Sequence, residues 1–409
     1  MLIYRMFLSI LTAYVMLRGV LSGRAGIVDL RDRLARGPGA DGPHVWLHAA
    51  SNGELTSVRP VIDDLLAERP RLNLLITCNS AGGVALARGW RLARTQVRLA
   101  PLDTRGARRR MRARWGIVAH IAVESELWPN RFIGFAQAGI PVIVLGGRLS
   151  ARTALRWDRF GSLPVRLMRS VSYLSAQDAG SATRFAGFGL TQARTGPLLD
   201  LKSLYAPPAM VPSDALRRQF ARMHTWLAAS THEGDEAQVI AAHKEALRSD
   251  PDLRLILAIR HPARGDAVAR MLTDAGLTFD RRSQGDGGAP VLLADTLGEM
   301  ALWYALAGRV FIGGTWSDRG GHTPYEPAAF GCALLHGPDV ANFAPAFERL
   351  SAAGAARRVT DAADLAAQLT ALHDMQARMG DLARATLTQD TAWALVRKDL
   401  ADRLPKGPL

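Results

Sequence analysis

The chain has 409 residues, of which 48% are apolar and 22% charged. A single hydrophobic core rarely serves more than about 250–300 residues, so we expect two domains. The composition is that of a folded globular protein and argues against disorder or a polytopic membrane protein. Cys78 and Cys332 form no disulfide framework or zinc pattern, which indicates a reducing compartment. The net charge of +14 favours phosphate-bearing partners or an anionic membrane.

The amino terminus carries a short apolar run, Met6–Leu17, between Arg5 and Arg18. As a helix this run would be about 18 Å long, and the hydrocarbon core of a bilayer is about 30 Å thick. We therefore predict that residues 1–36 form an interfacial anchor followed by a basic segment, Arg24–Arg36. A secretory signal peptide and an ordinary buried helix are the alternatives, although no clear small-x-small cleavage site precedes the basic segment.

Strand and helix patterns alternate after a Gly/Pro break at residues 37–43. The predicted strands of the first half are His44–Ala49, Leu72–Cys78, Val97–Ala100, Ile117–Val123 and Ile140–Leu145. The predicted helices are Glu54–Glu68, Ala81–Trp90, Thr104–Trp115 and Asn130–Ala138. Because a helix separates consecutive strands, the strands should be parallel and joined by right-handed crossovers.

A proline-containing stretch, Gly196–Ser213, interrupts this pattern and is typical of an interdomain linker. The predicted domains are therefore 37–205 and 206–409, with the final helix able to pack back on the first. Strands are predicted again at Thr225–Ala229, Leu253–Ile259, Val291–Leu293, Val310–Ile312 and Ala333–Leu335. Helices are predicted at Glu233–Arg248, Asp266–Ala275 and Gly298–Ala307. The expected fold is α/β, with two Rossmann-like domains whose carboxyl strand ends face each other across a central cleft.

Acidic residues follow two strands of the first half. Glu54 ends the sequence Ala50-Ser51-Asn52-Gly53-Glu54 at a strand-to-helix turn, where it is a candidate general base or a helix-capping residue. Glu124 and Glu126 follow the most apolar strand, and an extended segment would put both on one side. Either could instead have a structural role. Pro129 is suited to opening the next helix.

Two strand ends of the second half carry groups that could hold a phosphate. In the segment 230–236, Ser230 or Thr231 could cap the next helix, whose free amides bind anions, although the same pattern describes an ordinary capping box. Arg260, in the sequence Arg260-His261-Pro262, is a permanent cation that could bind a phosphate or form an ion pair.

A glycine-rich segment, residues 313–327, follows the strand Val310–Ile312. Its four glycines would let backbone amides approach a phosphate, and a helix is predicted to begin near Tyr325. Glu326 inside that helix suits a ribose or base hydroxyl. The segment matches neither the dinucleotide fingerprint nor the P-loop, so the redox and NTPase classes lose their main support.

Six motifs occur in the order and approximate spacing of one bacterial enzyme family. They are Ser-Asn-Gly-Glu (51–54), Glu-Ser-Glu-Leu-Trp-Pro-Asn (124–130), Gly-Arg-Leu-Ser-Ala-Arg (147–152), Arg-His-Pro (260–262), Asp-Thr-Leu-Gly-Glu (295–299) and Gly-Gly-His-Thr-Pro-Tyr-Glu-Pro (320–327). Over nearly its whole length the chain resembles the transferases of 3-deoxy-manno-octulosonic acid (Kdo). The resemblance implies a GT-B fold, a CMP-Kdo donor, a lipid A precursor as acceptor, and inversion at the anomeric carbon without a metal. With the amino-terminal segment, it also implies peripheral or monotopic attachment to the cytoplasmic face of the inner membrane.

The resemblance implies roles for residues at matching positions. Glu54 would be the catalytic base, and Glu126 or Glu124 a second essential acid. The implied donor-binding residues are Ser230, Thr231, Glu233, Arg260, His261, Gly298, Glu299, Gly320, Gly321, His322, Thr323 and Glu326. The implied acceptor-binding residues are Ser51, Asn52, Gly53, Arg148 and Arg152.

The sequence departs from the family at three places. The family usually has valine at the position of Asn52 and asparagine at that of Thr323, and a threonine-rich turn is replaced here by Cys78-Asn79-Ser80-Ala81-Gly82. These departures leave open another CMP-ulosonic acid as donor and another lipid or glycan as acceptor.

A basic membrane- or RNA-binding module without catalysis is the alternative from another functional class. It is motivated by arginines at 105, 108, 109, 110, 112 and 114, a pattern that is usually a solvated helix face. Aromatic residues among them are few, so no nucleic-acid partner is expected. No cofactor is expected, and no metal is expected at the donor motifs because a sugar nucleoside monophosphate lacks the diphosphate that magnesium clamps.

Overall fold

The computed structural model describes residues 2–21, 29–207, 210–285, 287–388 and 390–405. The chain divides by its internal contacts into two compact units. The first unit comprises residues 1–204 and 389–409, and the second comprises 205–388. The prediction placed the boundary between 205 and 206 and allowed the final helix to pack back on the first domain. By internal contacts the division falls after residue 204, and residues 389–409 group with the first unit.

The first unit is built on a parallel sheet. Its described strands are β1 (His44–His48), β2 (Asn73–Cys78), β3 (Thr95–Leu99), β4 (Ile117–Val123), β5 (Val142–Gly147) and β6 (Tyr173–Ala176). They lie in the order β3-β2-β1-β4-β5-β6, with every pair parallel. The first strand in the sequence, β1, lies at the centre of the sheet. This is the doubly wound arrangement, in which ligands bind at the carboxyl ends of the strands.

Helices cover both faces of this sheet. The described helices before residue 204 are α1 (Leu2–Leu21), α2 (Asn52–Glu68), α3 (Ala81–Gly89), α4 (Arg105–Trp115), α5 (Pro129–Ala136), α6 (Ala151–Asp158), α7 (Leu163–Arg169) and α8 (Ala179–Gly187). Residues 29–33 are also helical. Two buried clusters, one on each face, share alternate residues of the strands, for example Val45 and Leu47 on one side and Trp46 on the other. The near-continuous apolar character of these strands follows from burial on both faces.

The second unit repeats this plan with a seven-stranded parallel sheet among the described residues. Its strands are β7 (Thr225–Thr231), β8 (Arg254–Ile259), β9 (Phe279–Arg281), β10 (Val291–Ala294), β11 (Arg309–Ile312), β12 (Ala333–His336) and β13 (Ala356–Arg358). They lie in the order β13-β12-β11-β7-β8-β10-β9. Its helices are α9 (Asp214–Gln219), α10 (Asp235–Ala246), α11 (Gly265–Asp274), α12 (Met300–Leu306), α13 (Tyr325–Ala329), α14 (Ala344–Ala352), α15 (Ala362–Ala371) and α16 (Gln376–Leu387). The predicted pair of Rossmann-like domains is therefore confirmed.

The amino-terminal helix α1 packs on the first unit along one side. The Tyr4 hydroxyl donates to the buried Asp103 carboxylate at 2.7 Å, and Leu8 is buried. The helix extends beyond the apolar run that predicted it, over 20 residues. None of the helices in the described parts of the chain is long and apolar enough to cross a membrane. The predicted basic segment is described only from residue 29, so Arg24 lies outside the described residues.

The last described helix, α17 (Asp390–Arg403), belongs to the first unit. Val396 and Leu400 of this helix, and Leu404 directly after it, are buried in the same cluster as residues of β1 and α2. The Trp393 indole donates to Asp64 at 2.7 Å. The chain thus returns to its first unit and buries apolar surface there.

Candidate active site

Glu54 lies at the carboxyl edge of the first sheet, in the first turn of α2. Ser51 caps this helix by accepting a hydrogen bond from the Glu54 N–H at 3.2 Å. The Ala50 N–H in turn donates to Glu54 Oε2 at 2.6 Å. This reciprocal arrangement resembles a capping box, so the capping role weighed for Glu54 is present in the structure. The half-buried carboxylate is held in one place by its own turn.

The surroundings of Glu54 disfavour its ionisation. Burial raises the pKa of Glu54 to about 7, and only the Ala50 N–H and Lys202 act against this. The negative charges of Glu124 and Glu126 contribute to this raised pKa. A carboxyl group that titrates near neutral pH can both take up and release a proton, which is the property a general base needs.

Glu126 lies in a different environment, at the end of a chain of hydrogen bonds from the core. Trp46 Nε1 donates to the Thr77 hydroxyl at 2.7 Å, and Thr77 Oγ1 lies 2.9 Å from His48 Nδ1. His48 Nε2 lies 2.9 Å from Glu126 Oε2. His48 Nδ1 also lies 3.2 Å from the Thr77 carbonyl oxygen. Because an ionised carboxylate can only accept, the neutral imidazole donates to Glu126 from Nε2, and Nδ1 accepts from the Thr77 hydroxyl. Trp128 Nε1 donates to the same oxygen at 2.7 Å.

This chain keeps Glu126 ionised. Burial alone would raise the pKa of Glu126, but the hydrogen bonds from His48 and Trp128 stabilise the carboxylate and the pKa is lowered overall. Burial also lowers the pKa of His48, so the imidazole is neutral at pH 7. Glu126 is therefore a fixed negative charge, and of the two neighbouring acids it is Glu54 that can exchange a proton near neutral pH.

The backbone conformation of Glu124 differs from the one predicted for this segment. Its φ of +50° lies in the left-handed region, so the chain turns after β4. The prediction that this segment continues in an extended conformation is therefore wrong. The backbone carbonyl of Glu124 accepts from the Arg148 N–H at 3.3 Å, which fixes the turn against the end of β5. Burial raises the pKa of Glu124. Despite the turn, Glu124 and Glu126 both lie close enough to Glu54 to affect its pKa.

Two of the departures from the family pattern are neighbours in the structure. The side chain of Asn52 lies beside Gly82 and Gly83 at the start of α3. Asn79, from the same replaced turn, extends its amide towards Glu126 Oε2 at 3.4 Å. The unusual residue at 52 and the unusual turn at 78–82 therefore form one continuous surface around the acids.

An apolar pocket of about 470 Å³ adjoins Glu126 in the first unit. Apolar and aromatic side chains dominate its lining, which comes from α1, α5, α6, α7 and the loops before them; Trp128, Trp157 and Phe160 are the largest. Arg148 and Arg152 were both predicted to bind the acceptor substrate. Arg148 is in the pocket lining, whereas Arg152 is exposed and outside it. Ser51, Asn52 and Gly53 are exposed next to Glu54.

In the second unit, Asp235 ties together the ends of β7 and β11. One oxygen of this buried carboxylate accepts from the His232 N–H at 3.0 Å and from the Gly314 N–H at 2.7 Å. The predicted cap by Ser230 or Thr231 is wrong, because Thr231 is still in β7 and α10 begins after Gly234. The sequence continues as a strand for two residues longer than its apolar run.

Three histidines meet at this edge. His232 Nε2 lies 2.9 Å from His322 Nε2, and the ring of His261 lies 5.4 Å from that of His232. Burial, with smaller contributions from His232, Arg260 and His261, lowers the pKa of His322 to about 4. Burial and Arg319 likewise lower the pKa of His232. Among the described residues no carboxylate forms an ion pair with Arg260, so positive charge and imidazole groups lie together at this edge.

The glycine-rich segment folds back on itself, which corrects the predicted role of its amides. The Gly320 N–H donates to Asp339 at 2.6 Å, and the Gly321 N–H donates to the Gly314 carbonyl at 3.0 Å. These two N–H groups are therefore occupied within the chain. Both glycines have φ above +70°, and a side chain at Gly320 would overlap Asn342. They are needed for the shape of the loop that presents His322.

The remaining predicted donor residues are spread around the same edge. Glu299 forms a bidentate ion pair with Arg282, with a shortest distance of 2.6 Å, and this hydrogen bonding lowers the pKa of Glu299. Gly298 before it adopts φ +88°. Glu326, in the first turn of α13, is half-buried, and burial raises its pKa. Thr323 accepts from the Tyr325 N–H at 3.4 Å, and Glu233 is exposed.

One cluster of metal-ligand side chains lies elsewhere in the second unit. The ligand atoms of His224, Asp250 and His373 are within 4.8 Å of one another. His224 and Asp250 precede β7 and β8, so the cluster is at the amino edge of the sheet, opposite the edge that carries the donor motifs. Asp250 also begins an Asp-x-Asp sequence with Asp252.

Sequence reasoning missed His48, Asn79, Asp235 and Arg319. His48 lies inside an apolar strand, where a histidine is usually a core residue, and only the pairing of β1 with β4 shows its contact with Glu126. Asp235 lies in the segment 230–236, but one of its two backbone partners, the Gly314 N–H, comes from a distant segment. The usable signal for Asn79 was its place at a strand end beside that of Glu54.

Comparisons with known proteins agree with these two units. The family model described as 3-deoxy-D-manno-octulosonic-acid transferase (kdotransferase) matches residues 28–204. A 3-deoxy-D-manno-octulosonic acid transferase of Bordetella pertussis is 34% identical over 387 residues, covering 89% of this chain and 86% of that one. The transferase of Haemophilus influenzae is 29% identical over 331 residues, covering 78% and 76%. A UDP-GlcNAc 2-epimerase structure from Neisseria meningitidis has a TM-score of 0.61 at 10% identity, covering 88% of this chain and all of that one, and shows the fold alone.

The raised pKa of Glu54 predicts a pH-dependent effect on stability. Below the unfolded-state pKa of 4.5 the group is protonated in both states, and as the pH rises to about 7 the unfolded chain releases this proton more readily, which lowers the stability of the fold. Glu54→Gln retains the acceptor for the Ala50 N–H and cannot ionise. We expect its melting temperature to exceed that of the wild type by a few degrees at pH 8, since each kcal/mol of unfolding free energy shifts the melting temperature by about 2–4 °C. At pH 4.5 the two melting temperatures should be equal. Calorimetry at the two pH values measures this, and an equal difference at both would contradict the raised pKa.

Proposed function

Because this chain belongs to the 3-deoxy-D-manno-octulosonic acid (Kdo) transferase family, we propose that it moves Kdo from CMP-Kdo to a lipid A precursor, with inversion and without a metal. Membership of the family makes the protein a glycosyltransferase. The observation that carries the proposed mechanism is the half-buried Glu54, held by the Ala50 N–H at 2.6 Å with a pKa raised to about 7.

Glu54 is proposed as the general base. An acceptor hydroxyl attacks the anomeric carbon of Kdo, the bond from that carbon to the CMP phosphate oxygen breaks, and the hydroxyl proton goes to the Glu54 carboxylate. A base with a pKa near the operating pH combines a useful ionised fraction with sufficient basicity. The exposed Ser51–Gly53 turn next to Glu54 leaves room for the acceptor.

Glu126 is proposed as the second acid, acting as a fixed charge. Its bonds from His48, Trp128 and Asn79 use one oxygen, Oε2, and leave Oε1 for other contacts. Its negative charge also helps to keep the pKa of Glu54 raised. In this proposal Glu126 orients the acceptor and favours a protonated Glu54 after attack, and Glu124 adds to the same field.

The donor phosphate is proposed to bind among the cationic and imidazole groups of the second unit. Arg260 and Arg319 lie close enough to His232 to lower its pKa, and Arg260 does the same to His322. A bound phosphate would oppose these charges and stabilise CMP as it leaves. Because side chains can provide this charge and CMP carries a single phosphate, no magnesium clamp is needed.

The apolar pocket beside Glu126 supports a lipid acceptor. Its volume of about 470 Å³ falls within the roughly 300–1,000 Å³ typical of ligand sites. A mostly apolar lining suits an acyl chain, and Arg148 in the wall suits an anionic group. An acceptor with both features would place its sugar near Glu126.

We further propose peripheral binding to the cytoplasmic face of the inner membrane through α1. Large apolar side chains are exposed at spacings of three or four residues, which places them on one face of the helix: Met6, Ile10, Tyr14, Leu17 and Leu21. The opposite side of α1 packs on the first unit through Tyr4 and Leu8. An apolar stripe on a basic protein is suited to an anionic bilayer surface.

A transfer assay tests the proposed donor, acceptor and metal independence together. We expect purified protein to transfer Kdo from CMP-Kdo to a lipid A precursor at the same rate with and without excess EDTA. A UDP-hexose serves as the control donor and should give no product. Loss of transfer in EDTA that magnesium restores would refute metal independence, and transfer from the UDP-hexose alone would refute the donor.

Substitution of Glu54 tests the base. We expect Glu54→Gln to lower kcat by at least roughly 100- to 10,000-fold, while CMP affinity stays within twofold. In the wild type kcat/KM should rise with pH through about 7, since only the ionised carboxylate accepts a proton. Glu68→Gln, at the far end of the same helix, is the matched control. Near-normal turnover in folded Glu54→Gln would leave Glu54 with its capping role alone.

A pocket-filling variant tests the acyl-chain site. Thr153 lines the pocket, so Thr153→Trp should exclude roughly two methylenes, each worth about 0.8 kcal/mol, and raise KM for an acylated acceptor roughly tenfold. KM for a deacylated acceptor should stay within twofold. Leu155→Trp, exposed on the same helix and outside the pocket lining, is the control. If both variants raise the two KM values equally, the pocket does not hold the acyl chain.

A further inference from the structure

A second pocket in the first unit is lined by four arginines. It has a volume of about 150 Å³ and lies between α1, α4, α5 and α7. Its charged lining residues are Arg5, Arg105, Arg108 and Arg166. The polar lining residues Asn130 and Gln137 complete its edge, and no aspartate or glutamate is among the lining residues. The pocket is therefore small, polar and positively charged.

These arginines have no carboxylate partner among the described residues. The Nε atoms of Arg5 and Arg108 are buried and make no hydrogen bond. A side chain at Gly134 would overlap the Arg108 guanidinium, so the glycine permits the cation to lie across α5. Burial and the charges of Arg109 and Arg105 lower the pKa of Arg108. Four guanidinium groups around one small space repel one another unless an anion lies between them.

We propose that this four-arginine pocket binds a phosphate group. A phosphate presents several charged oxygens, and guanidinium groups donate to such oxygens in pairs with short, strong hydrogen bonds. The terminal N–H groups of the four guanidinium groups and the side-chain amide of Gln137 are the matching donors. The Asn130 amide donates one of its two hydrogens to the Asp103 carbonyl at 2.7 Å, and its second hydrogen remains for the phosphate. The site is separate from the histidine and arginine group of the second unit, which is proposed to take the donor phosphate.

The place of the pocket favours a phosphate carried by a lipid. Arg5 is the residue next to Met6, which begins the exposed apolar stripe of α1. Arg166 is on α7, whose Pro164 and Leu167 line the apolar pocket beside Glu126. A phosphate in the four-arginine pocket would thus lie between an apolar helix face and an apolar cavity, as the headgroup of an amphiphile requires.

A pair of double variants on one helix tests the site. Arg105→Gln with Arg108→Gln removes two charges from the pocket, and Arg109→Gln with Arg112→Gln removes two from α4 outside it. Sedimentation with phosphatidylglycerol vesicles, and with phosphatidylcholine vesicles as control, measures lipid binding. General attraction accounts for about fivefold per arginine, so it affects both doubles equally. We expect the pocket double to bind phosphatidylglycerol at least tenfold more weakly than the control double.

Inorganic phosphate provides a second measurement that needs neither a membrane nor transfer. At ionic strength matched with chloride, phosphate should raise the melting temperature of the wild type and the control double but not of the pocket double. Without phosphate the pocket double should melt no lower than the control, because it has lost repelling charges. An effect of phosphate without a difference on vesicles would keep the site but overturn the lipid source. Identical behaviour of the two doubles in both measurements would overturn the site itself. The vesicle measurement rests on the proposed membrane binding, and failure of the wild type to bind vesicles would identify that separate error.

Discussion

The half-buried carboxylate of Glu54, with one short hydrogen bond from the Ala50 N–H and two acids nearby, is the constraint on which the first unit's chemistry depends. The parallel sheet creates it, because the ends of β1 and β4 lie side by side and bring the turn at 50–54 against the turn at 124–126. Hydrogen bonds from His48 and Trp128 then fix one of the three acids in its ionised form. The difference in environment shifts the pKa values of similar carboxyl groups in opposite directions, as burial and hydrogen bonding commonly do.

Groups of like-charged or cationic side chains also lie close together elsewhere in the molecule. In the second unit, burial, together with His232, Arg260 and His261, lowers the pKa of His322 to about 4. In the first unit, four arginines surround a pocket without a carboxylate in its lining. Because like charges repel, the anions proposed for these two groups would offset that repulsion and bind more tightly for it. The two proposals thus add localised anion sites to the general attraction that a net charge of +14 exerts on phosphates.

Most central strands could be predicted from the sequence, since burial on both faces makes them continuously apolar, and β4 was predicted at its observed bounds, Ile117–Val123. The edge strands β9 and β13 were missed because Phe279–Arg281 and Ala356–Arg358 are short and polar. β6 was missed as well, because it is short and its serine interrupts the apolar pattern. The motifs located the acids and the histidines, because strand ends are readable from the alternation of elements. Hydrogen bonds between distant segments, such as those that occupy the amides of Gly320 and Gly321, depend on tertiary packing and leave no local pattern.

The proposed chemistry depends on the protonation of Glu54, and the pKa of this side chain can be measured directly. Carbon-13 NMR of protein labelled at the glutamate carboxyl carbons, with the resonance of Glu54 assigned from its absence in Glu54→Gln, gives the pKa of this group in the free enzyme. The account predicts a titration midpoint of about 7. A midpoint near the ordinary 4.5 would show that Glu54 is ionised throughout the neutral range, and would contradict the assignment of the site's proton exchange to a desolvated carboxylate.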